Sequence, residues 1–225
     1  FDFRVKAREP HKPLWNAALF GGSLLAALAQ GFMLGHYITG FEHSLGAYAF
    51  SMLISVCVVA GYGLLGATWL IMKTEDATQD WARSCATYVL VLVAVFMGLV
   101  SLSMPFLNTD VKDLWFSLPN FFYLLPMPLL SAVILVVLWR DLHTASEFRP
   151  FFLSLGIFFM NYVGLGISMW PFLVPFEVTF RQAAAAPESQ SLLIVGTAVM
   201  LPVVLAYTAF CYYIFRGKTS HETIY

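Results

Sequence analysis

An apolar run over residues 47–72, with no Asp, Glu, Lys or Arg, constrains this chain more than any other feature. It ends abruptly at Lys73-Thr74-Glu75-Asp76. Because about 20 helical residues, rising about 1.5 Å each, cross a hydrocarbon core about 30 Å thick, the run predicts a membrane-spanning helix. Trp69 lies one turn inside the charged end, where an indole anchors a helix at the interface. Lipid is therefore the solvent against which this chain folds.

The composition extends this conclusion to the whole chain. Hydrophobic residues make up 60% of the 225 positions and charged residues 11%, against about 45–50% and about 25% in soluble domains. This is the composition of a polytopic membrane protein. The net charge of −1 argues against nucleic acid as a partner, because the chain has no overall basic charge with which to bind a phosphate backbone.

Six apolar segments predict an all-α transmembrane bundle that forms a single domain over residues 1–225. All must be helices, because a backbone exposed to lipid has no water to satisfy its amides. The predicted spans are 14–37, 47–72, 84–106, 118–139, 151–170 and 191–215.

Basic residues are distributed unequally between the two sides of this bundle. Ten of the twelve Lys and Arg residues fall on one side and two, Lys112 and Arg181, on the other. By the positive-inside rule, the side with ten is cytoplasmic, and so are both ends of the chain. The ten are Arg4, Lys6, Arg8, Lys12, Lys73, Arg83, Arg140, Arg149, Arg216 and Lys218.

Small and polar residues inside the spans are candidates for helix contacts. Gly31 and Gly35 form a GxxxG pair that lets a helix approach closely, either within this chain or from a partner subunit. Gly63/Ala67 and Gly164/Ser168 repeat the spacing. Gln30 and Asn161 are the amides at depth, and hydrogen bonds between helices are the ordinary role of such residues. Pro126, Pro128 and Pro202 predict kinks.

The predicted spans contain few residues that could transfer protons, attack a substrate or bind a cofactor. No Asp, Glu, Lys or Arg lies in the middle of a span, where such residues mark proton or ion paths. No serine nucleophile, phosphate-binding glycine loop or paired carboxylates are recognisable. We therefore predict no catalytic, cofactor-binding or metal-binding residue, and no redox centre, in this chain.

Two alternatives remain open at this point. Kinked helices with Asn161 at depth also suit a secondary transporter with a midplane cavity. His36, the one histidine within a predicted span, could ligate a haem without any other subunit.

Ordered motifs along nearly the whole chain resemble one family, subunit II of the cytochrome bd-type quinol oxidases, including the cyanide-insensitive branch. One of them is Gly66-Ala67-Thr68-Trp69-Leu70-x-x-Lys73-Thr74-Glu75, which contains the interfacial motif Trp69, Lys73, Thr74, Glu75. The others are Phe1-Asp2-Phe3-Arg4-x-Lys6, the glycine-rich series from Gly22 through Gln30, Gly31 and Gly35 to Gly40, Pro171-x-x-Val174-Pro175, Ala183 to Pro187, and Pro202 to Lys218.

The resemblance implies a complex that oxidises quinol, reduces dioxygen to water and takes its protons from the cytoplasm. Haem-bearing subunit I holds two b-type haems and a third d- or b-type haem. Subunit II packs beside it as a scaffold and shapes proton or oxygen access. A structural quinone, lipids, small single-span accessory subunits and a bacterial inner-membrane location also belong to this expectation.

The sequence departs from the family pattern at three points. The family has eight spans, so we expect the first two, with the acidic residues of its proton path, to be missing here. The tract that usually reads Lys-Thr-Glu-Gly has Asp76 in the fourth place. Phe176 stands where a second proline commonly follows the one matching Pro175.

Overall fold

The structure is a computed structural model that describes residues 11–107, 109–144, 146–175, 177–215 and 217–218. The motif at Phe1 to Lys6, the basic residues Arg4, Arg8 and Arg216, and Phe176 lie outside this part of the chain. Within it, six helical segments are long and apolar enough to cross a membrane. The prediction of an all-α polytopic bundle with six spans is confirmed.

The described residues form eight helices and one short hairpin. The helices are α1 (Lys12–Ile38), α2 (Leu45–Lys73), α3 (Asp76–Leu107), α4 (Thr109–Phe116), α5 (Asn120–Leu124), α6 (Pro126–Leu142), α7 (Arg149–Met169) and α8 (Pro187–Ile214). The hairpin strands are β1 (Phe172–Val174) and β2 (Val178–Thr179), antiparallel with Phe172 opposite Thr179. The candidate spans are α1, α2, α3, α5 with α6, α7 and α8.

The fourth span is broken where its prolines predict a distortion. Leu125 separates α5 from α6, and its amide donates to the carbonyl of Phe121 at 2.9 Å. Pro126 opens α6 because a proline at the first helical turn needs no amide donor. Pro202, by contrast, lies inside α8, which remains helical on both sides of it.

Helix α2 is the centre of the bundle and packs against α1, α3 and α7. Twelve of its residues are buried, and small side chains such as Ser51, Ser55 and Gly61 are among them. Leu64 and Ile71 are fully buried in the main apolar cluster, with Leu138 of α6 and Ile157 of α7. The small residues of α2 let neighbouring backbones approach, and its large ones fill the space behind them.

The hairpin closes the end of the bundle opposite the Lys73 motif. The hydroxyl of Tyr37, at the end of α1, donates to the carbonyl of Leu173 in β1 at 2.6 Å. On the same side, Trp115 of α4 donates its indole N–H to the Ser168 hydroxyl at 2.9 Å. The hairpin and α4 are therefore held to the ends of α1 and α7 by polar contacts.

Asp76, which follows the Lys73-Thr74-Glu75 tract, has an unusual backbone conformation. Its φ is +53°, in the left-handed region that glycine adopts without steric cost and aspartate tolerates better than most residues. It links the end of α2 to the start of α3. A glycine is therefore the residue that this turn favours on steric grounds.

Candidate functional site

The interfacial motif at the end of α2 contacts the end of α8. Lys73 and Phe215, which are bonded there, lie 142 positions apart in the sequence. The Trp69 ring packs edge-on against Phe151 of α7 at 5.0 Å and against Tyr212 of α8 at 6.0 Å between centroids. The Lys73 ammonium lies 5.3 Å from the centroid of the Trp69 ring. The aromatic contact thus brings α8 to the bundle beside a lysine.

Lys73 satisfies the carboxyl end of α8. Its ammonium donates to the backbone carbonyls of Phe215 at 2.8 Å and Gly217 at 3.4 Å. The last carbonyls of a helix have no partner within the helix and carry partial negative charge, so a cation there is favourable. Thr74 in turn caps α2, because its hydroxyl donates to the carbonyl of Leu70 at 2.7 Å.

A second lysine ties the tail to two carboxylates. The Lys218 ammonium lies 2.7 Å from Glu147, in the loop between α6 and α7, and 3.8 Å from Glu75. Gln79 of α3 donates its amide to Glu147 at 3.3 Å and to the carbonyl of Thr74 at 3.0 Å. We call Lys73, Glu75, Gln79, Glu147 and Lys218 the tail cluster.

The tail cluster perturbs one carboxyl group in particular. The hydrogen bond from Lys218 lowers the pKa of Glu147 below its ordinary value, and the hydrogen bond from Gln79 adds to the effect. Donors that hydrogen-bond the ionised form stabilise it. Glu147 therefore acts as a charged acceptor that joins the tail to α3 at neutral pH.

The cluster is suited to fastening helices. It links the end of α2, the start of α3, the loop after α6 and the chain beyond α8, all with charge-assisted or backbone hydrogen bonds. Such bonds fix orientation more than they add stability when the groups are partly exposed to water. Within the described residues, no group of three or more His, Cys, Asp or Glu side chains could hold a metal ion.

Gly31 and Gly35 lie apart from the tail cluster, at the contact between α1 and α2. A Cβ atom added to Gly31 would stand 2.5 Å from the Cα of Ser55, and one added to Gly35 would collide with Ser51. The Ser55 hydroxyl crosses the same contact and donates to the carbonyl of Leu28 at 2.5 Å. The structure places the GxxxG pair within the chain's own packing.

The two amides at depth also engage neighbours in this chain. The Tyr62 hydroxyl of α2 donates to Gln30 Oε1 of α1 at 3.0 Å. Asn161 donates to the carbonyl of Ile157 one turn earlier at 2.9 Å and lies 3.7 Å from the sulfur of Met97 in α3. These contacts are of the interhelical and intrahelical kind that holds a bundle together.

His36 packs among aromatic rings at the end of α1. Its ring is edge-on to Phe32 at 4.8 Å and to Tyr48 of α2 at 5.0 Å. His43 is bonded to the Tyr48 hydroxyl through Nδ1 at 3.0 Å. The structure gives His36 a packing environment shared by α1 and α2.

Sequence reasoning identified only part of the tail cluster. Trp69, Lys73, Thr74 and Glu75 were selected as one motif, and Lys218 as the end of another. Gln79 and Glu147 were missed, because neither belongs to a motif and Glu147 lies in a loop 68 positions after Gln79. The alternation of the predicted spans could have indicated them, because it places all of these residues on the same side of the membrane.

Comparison with known proteins gives a consistent result. The family model described as cytochrome bd terminal oxidase subunit II matches residues 1–215. The chain is 25% identical to cytochrome bd-I ubiquinol oxidase subunit 2 of Escherichia coli strain K12, over 100% of this chain and 71% of the relative. It is 24% identical to a probable cytochrome oxidase subunit 2 of Haemophilus influenzae, again over 100% of this chain and 71% of the relative.

Proposed function

This chain belongs to the cytochrome bd terminal oxidase subunit II family, and from that membership we propose that it is the structural, non-haem-ligating subunit of a quinol oxidase. The complex oxidises quinol, reduces dioxygen to water and takes up protons from the cytoplasm. The electron chemistry belongs to haems of b and d type, or of b type only, in subunit I. This chain supplies scaffold, low-dielectric surroundings and access routes for protons or oxygen.

One observation carries the scaffold proposal, the exposure of α8. Its sequence, fully described from Pro187 to Ile214, has no buried residue, whereas α2 has twelve. Large apolar side chains such as Leu192, Val203 and Tyr207 are more than half exposed along it. A helix with this much free apolar surface is available to pack against another subunit within the membrane.

The tail cluster gives this exposed helix a defined position. α8 is fixed at one end by Trp69, Lys73 and Lys218, while the rest of its length is open. An interface helix needs such anchoring, because a surface held in place before association loses less entropy on binding. We propose that the Trp69-to-Glu75 motif serves this purpose.

Location and orientation follow from the same assignment. We propose a bacterial inner-membrane protein whose end bearing Lys73, Arg83, Arg149 and Lys218 faces the cytoplasm, as the excess of basic residues favours. Lipids, a structural quinone and small single-span subunits are further components of the proposed complex. Gly31, Gly35, Gln30 and Asn161 contribute to helix packing in it.

The test is purification of the full-length protein from its native membrane in mild detergent. We expect a haem-bearing subunit to co-purify and the preparation to consume oxygen when quinol is supplied. The isolated chain should show no Soret band. Solute transport by the purified chain in vesicles, without oxygen uptake, would instead support a secondary transporter.

Gly196 of α8 offers a direct test of the interface. Apart from the two chain neighbours and the nearby backbone of the same helix, no atom of the described residues lies within 4 Å of the position of an added Cβ there, so the first carbon of a Gly196→Leu side chain meets no other helix of the subunit. We expect this variant to fold but to recover less of the haem-bearing subunit. Gly22→Leu, another position with open space in α1, is the matched control. Equal recovery from Gly196→Leu and wild type would contradict the proposed interface.

A further inference from the structure

A cleft of about 260 Å³ opens at the basic end of the bundle, between α3 and the end of α6. None of the residues that line it belongs to the tail cluster. Its walls are Arg83, Ser84, Thr87, Tyr88, Leu142 and His143. It therefore combines a guanidinium, an imidazole and three hydroxyl groups with one apolar residue.

Arg83 brings a positive charge to this cleft, and its direct hydrogen bonds go to backbone carbonyls and not to a carboxylate. Its two terminal nitrogens donate to the backbone carbonyls of Thr144 and Ser146, each at 2.8 Å. Both acceptors are neutral, and among the described residues no salt bridge within 4.0 Å includes Arg83. The side chain is half-buried. An oriented, partly desolvated guanidinium of this kind is complementary to a phosphate group.

Two further side chains of the cleft, His143 and Ser84, offer an atom to a ligand, whereas the Thr87 hydroxyl donates to the carbonyl of Arg83 at 2.9 Å. His143 Nδ1 lies 2.7 Å from the carbonyl of Trp139, and because a carbonyl only accepts, Nδ1 carries the hydrogen. That leaves Nε2 of the neutral ring as an acceptor, which can receive a hydrogen bond from a ligand hydroxyl. The Ser84 side chain is exposed, and its hydroxyl can donate to an anion.

The cleft lies at the depth of lipid headgroups. Helix α3 has 32 residues, about 48 Å of helix, so its first turns extend beyond a hydrocarbon core about 30 Å thick. Tyr88 and Trp139, both substantially exposed, flank the cleft as aromatic residues do at a membrane interface. Further along, the apolar side chains of Val91 and Val136 are exposed where acyl chains would lie.

We propose that this cleft binds the headgroup phosphate of an anionic membrane phospholipid, with Arg83 as the charged partner, Ser84 as a donor to the phosphate and His143 Nε2 as an acceptor for a headgroup hydroxyl. Basic pockets between transmembrane helices on the cytoplasmic side are suited to such headgroups. The apolar surface below the cleft distinguishes a lipid from free phosphate. None of these three residues belongs to the tail cluster, although the charge of Arg83 also acts on Glu147, and the site does not depend on the role proposed for α8.

The experiment uses the assembled oxidase, delipidated and then supplied with phosphatidylglycerol or phosphatidylcholine, with bound lipid counted by native mass spectrometry. Since one basic residue near a membrane surface contributes about 1 kcal/mol of binding, Arg83→Gln should lower retention of phosphatidylglycerol about fivefold. Arg140→Gln, which removes an exposed arginine from the same end but not from the cleft, should leave it unchanged. Retention of phosphatidylcholine should not respond to Arg83→Gln.

Three results would overturn the proposal. One is equal retention of phosphatidylglycerol by Arg83→Gln and wild type. Another is full displacement of the lipid signal by inorganic phosphate, which would indicate a soluble anion as the ligand. If Arg83→Gln does not assemble, His143→Ala and Ser84→Ala leave the loop hydrogen bonds of Arg83 in place, and undiminished retention by both would be the third.

Discussion

The ammonium of Lys73, the last residue of α2, lies 2.8 Å from the backbone carbonyl oxygen of Phe215, which follows the last residue of α8. This bond joins the central helix of the bundle to its least buried one. Because α8 has no buried residue of its own, the contacts at its end determine its position relative to the bundle. The following predictions test that relationship and the packing around it.

Replacing Lys73 with Met should loosen the end of α8. Met retains an unbranched apolar stem of comparable reach but removes the charge and both bonds to Phe215 and Gly217. For a partly exposed charge-assisted contact we expect a loss of about 1 kcal/mol, which makes local opening about fivefold more frequent. Hydrogen exchange of the backbone amides at the end of α8 measures it. Lys112→Met, on the opposite side of the bundle, should leave that exchange unchanged; equal exchange in both variants and wild type would contradict the anchoring role of Lys73.

Acid should release the tail from Glu147. The pKa of this carboxyl is lower in the folded protein, so its contribution is present above the ordinary range of a glutamate and is lost as pH falls through the lowered pKa. Glu147→Gln should therefore unfold at a lower temperature than wild type at pH 7, and the difference should vanish in acid. A Lys218→Gln background should remove most of the effect at neutral pH, because Lys218 is the main cause of the shift. A difference that persists unchanged from pH 7 into strong acid would disprove this account.

Side chains at Gly31 or Gly35 should separate α1 from α2. Gly31→Ala places a methyl group 2.5 Å from the backbone Cα of Ser55, and overpacking of this kind costs about 1–3 kcal/mol. We expect a lower thermal midpoint for Gly31→Ala, and lower haem content in an oxidase assembled with Gly31→Leu or Gly35→Leu, although no haem ligand changes. Gly22→Ala, in the same helix with open space around it, is the control. Thermal midpoint and haem content equal to wild type in the Gly31 and Gly35 variants would exclude a close contact at this point.

At Asp76 a glycine variant should be more stable than an alanine variant, the reverse of their usual order within a helix. At its φ of +53°, Asp76→Gly should be more stable than Asp76→Ala by about 1 kcal/mol, because both lose the carboxylate but only alanine carries a Cβ into the left-handed region. At Asp80, inside α3, the order should reverse by about 1 kcal/mol, because glycine is the poorer helix former. Thermal unfolding of the four variants provides the comparison. The same ranking at both positions would show that Asp76 is under no backbone constraint.

Much of this architecture is predictable from local composition. The run over residues 47–72 and five similar segments predict spanning helices because lipid cannot hydrogen-bond a bare backbone. The charged ends of those segments place Lys73, Arg83, Arg149 and Lys218 on one side of the bundle by alternation alone. The family resemblance likewise rests on motifs that follow one another in a fixed order along the sequence.

Other features were open in the sequence because they depend on which helix faces which. The GxxxG pair could have met a partner subunit or this chain, and the structure brings it against Ser51 and Ser55 of α2. Glu147 carried no motif, and its role arises only when the loop after α6 approaches the tail. The loop after α7 forms a hairpin bonded to Tyr37, a contact between residues 136 positions apart.

The sequence by itself determined the solvent of this protein, the number of its spans and the family to which it belongs, because apolar length and ordered motifs are properties of the chain alone. Only the tertiary structure decided that Lys73 and Lys218 join the chain at the end of α8 to α2 and to the loop after α6, and that Arg83 donates to two loop carbonyls beside a cleft. Those facts depend on distances between residues far apart in the chain, which hydrophobic periodicity does not encode.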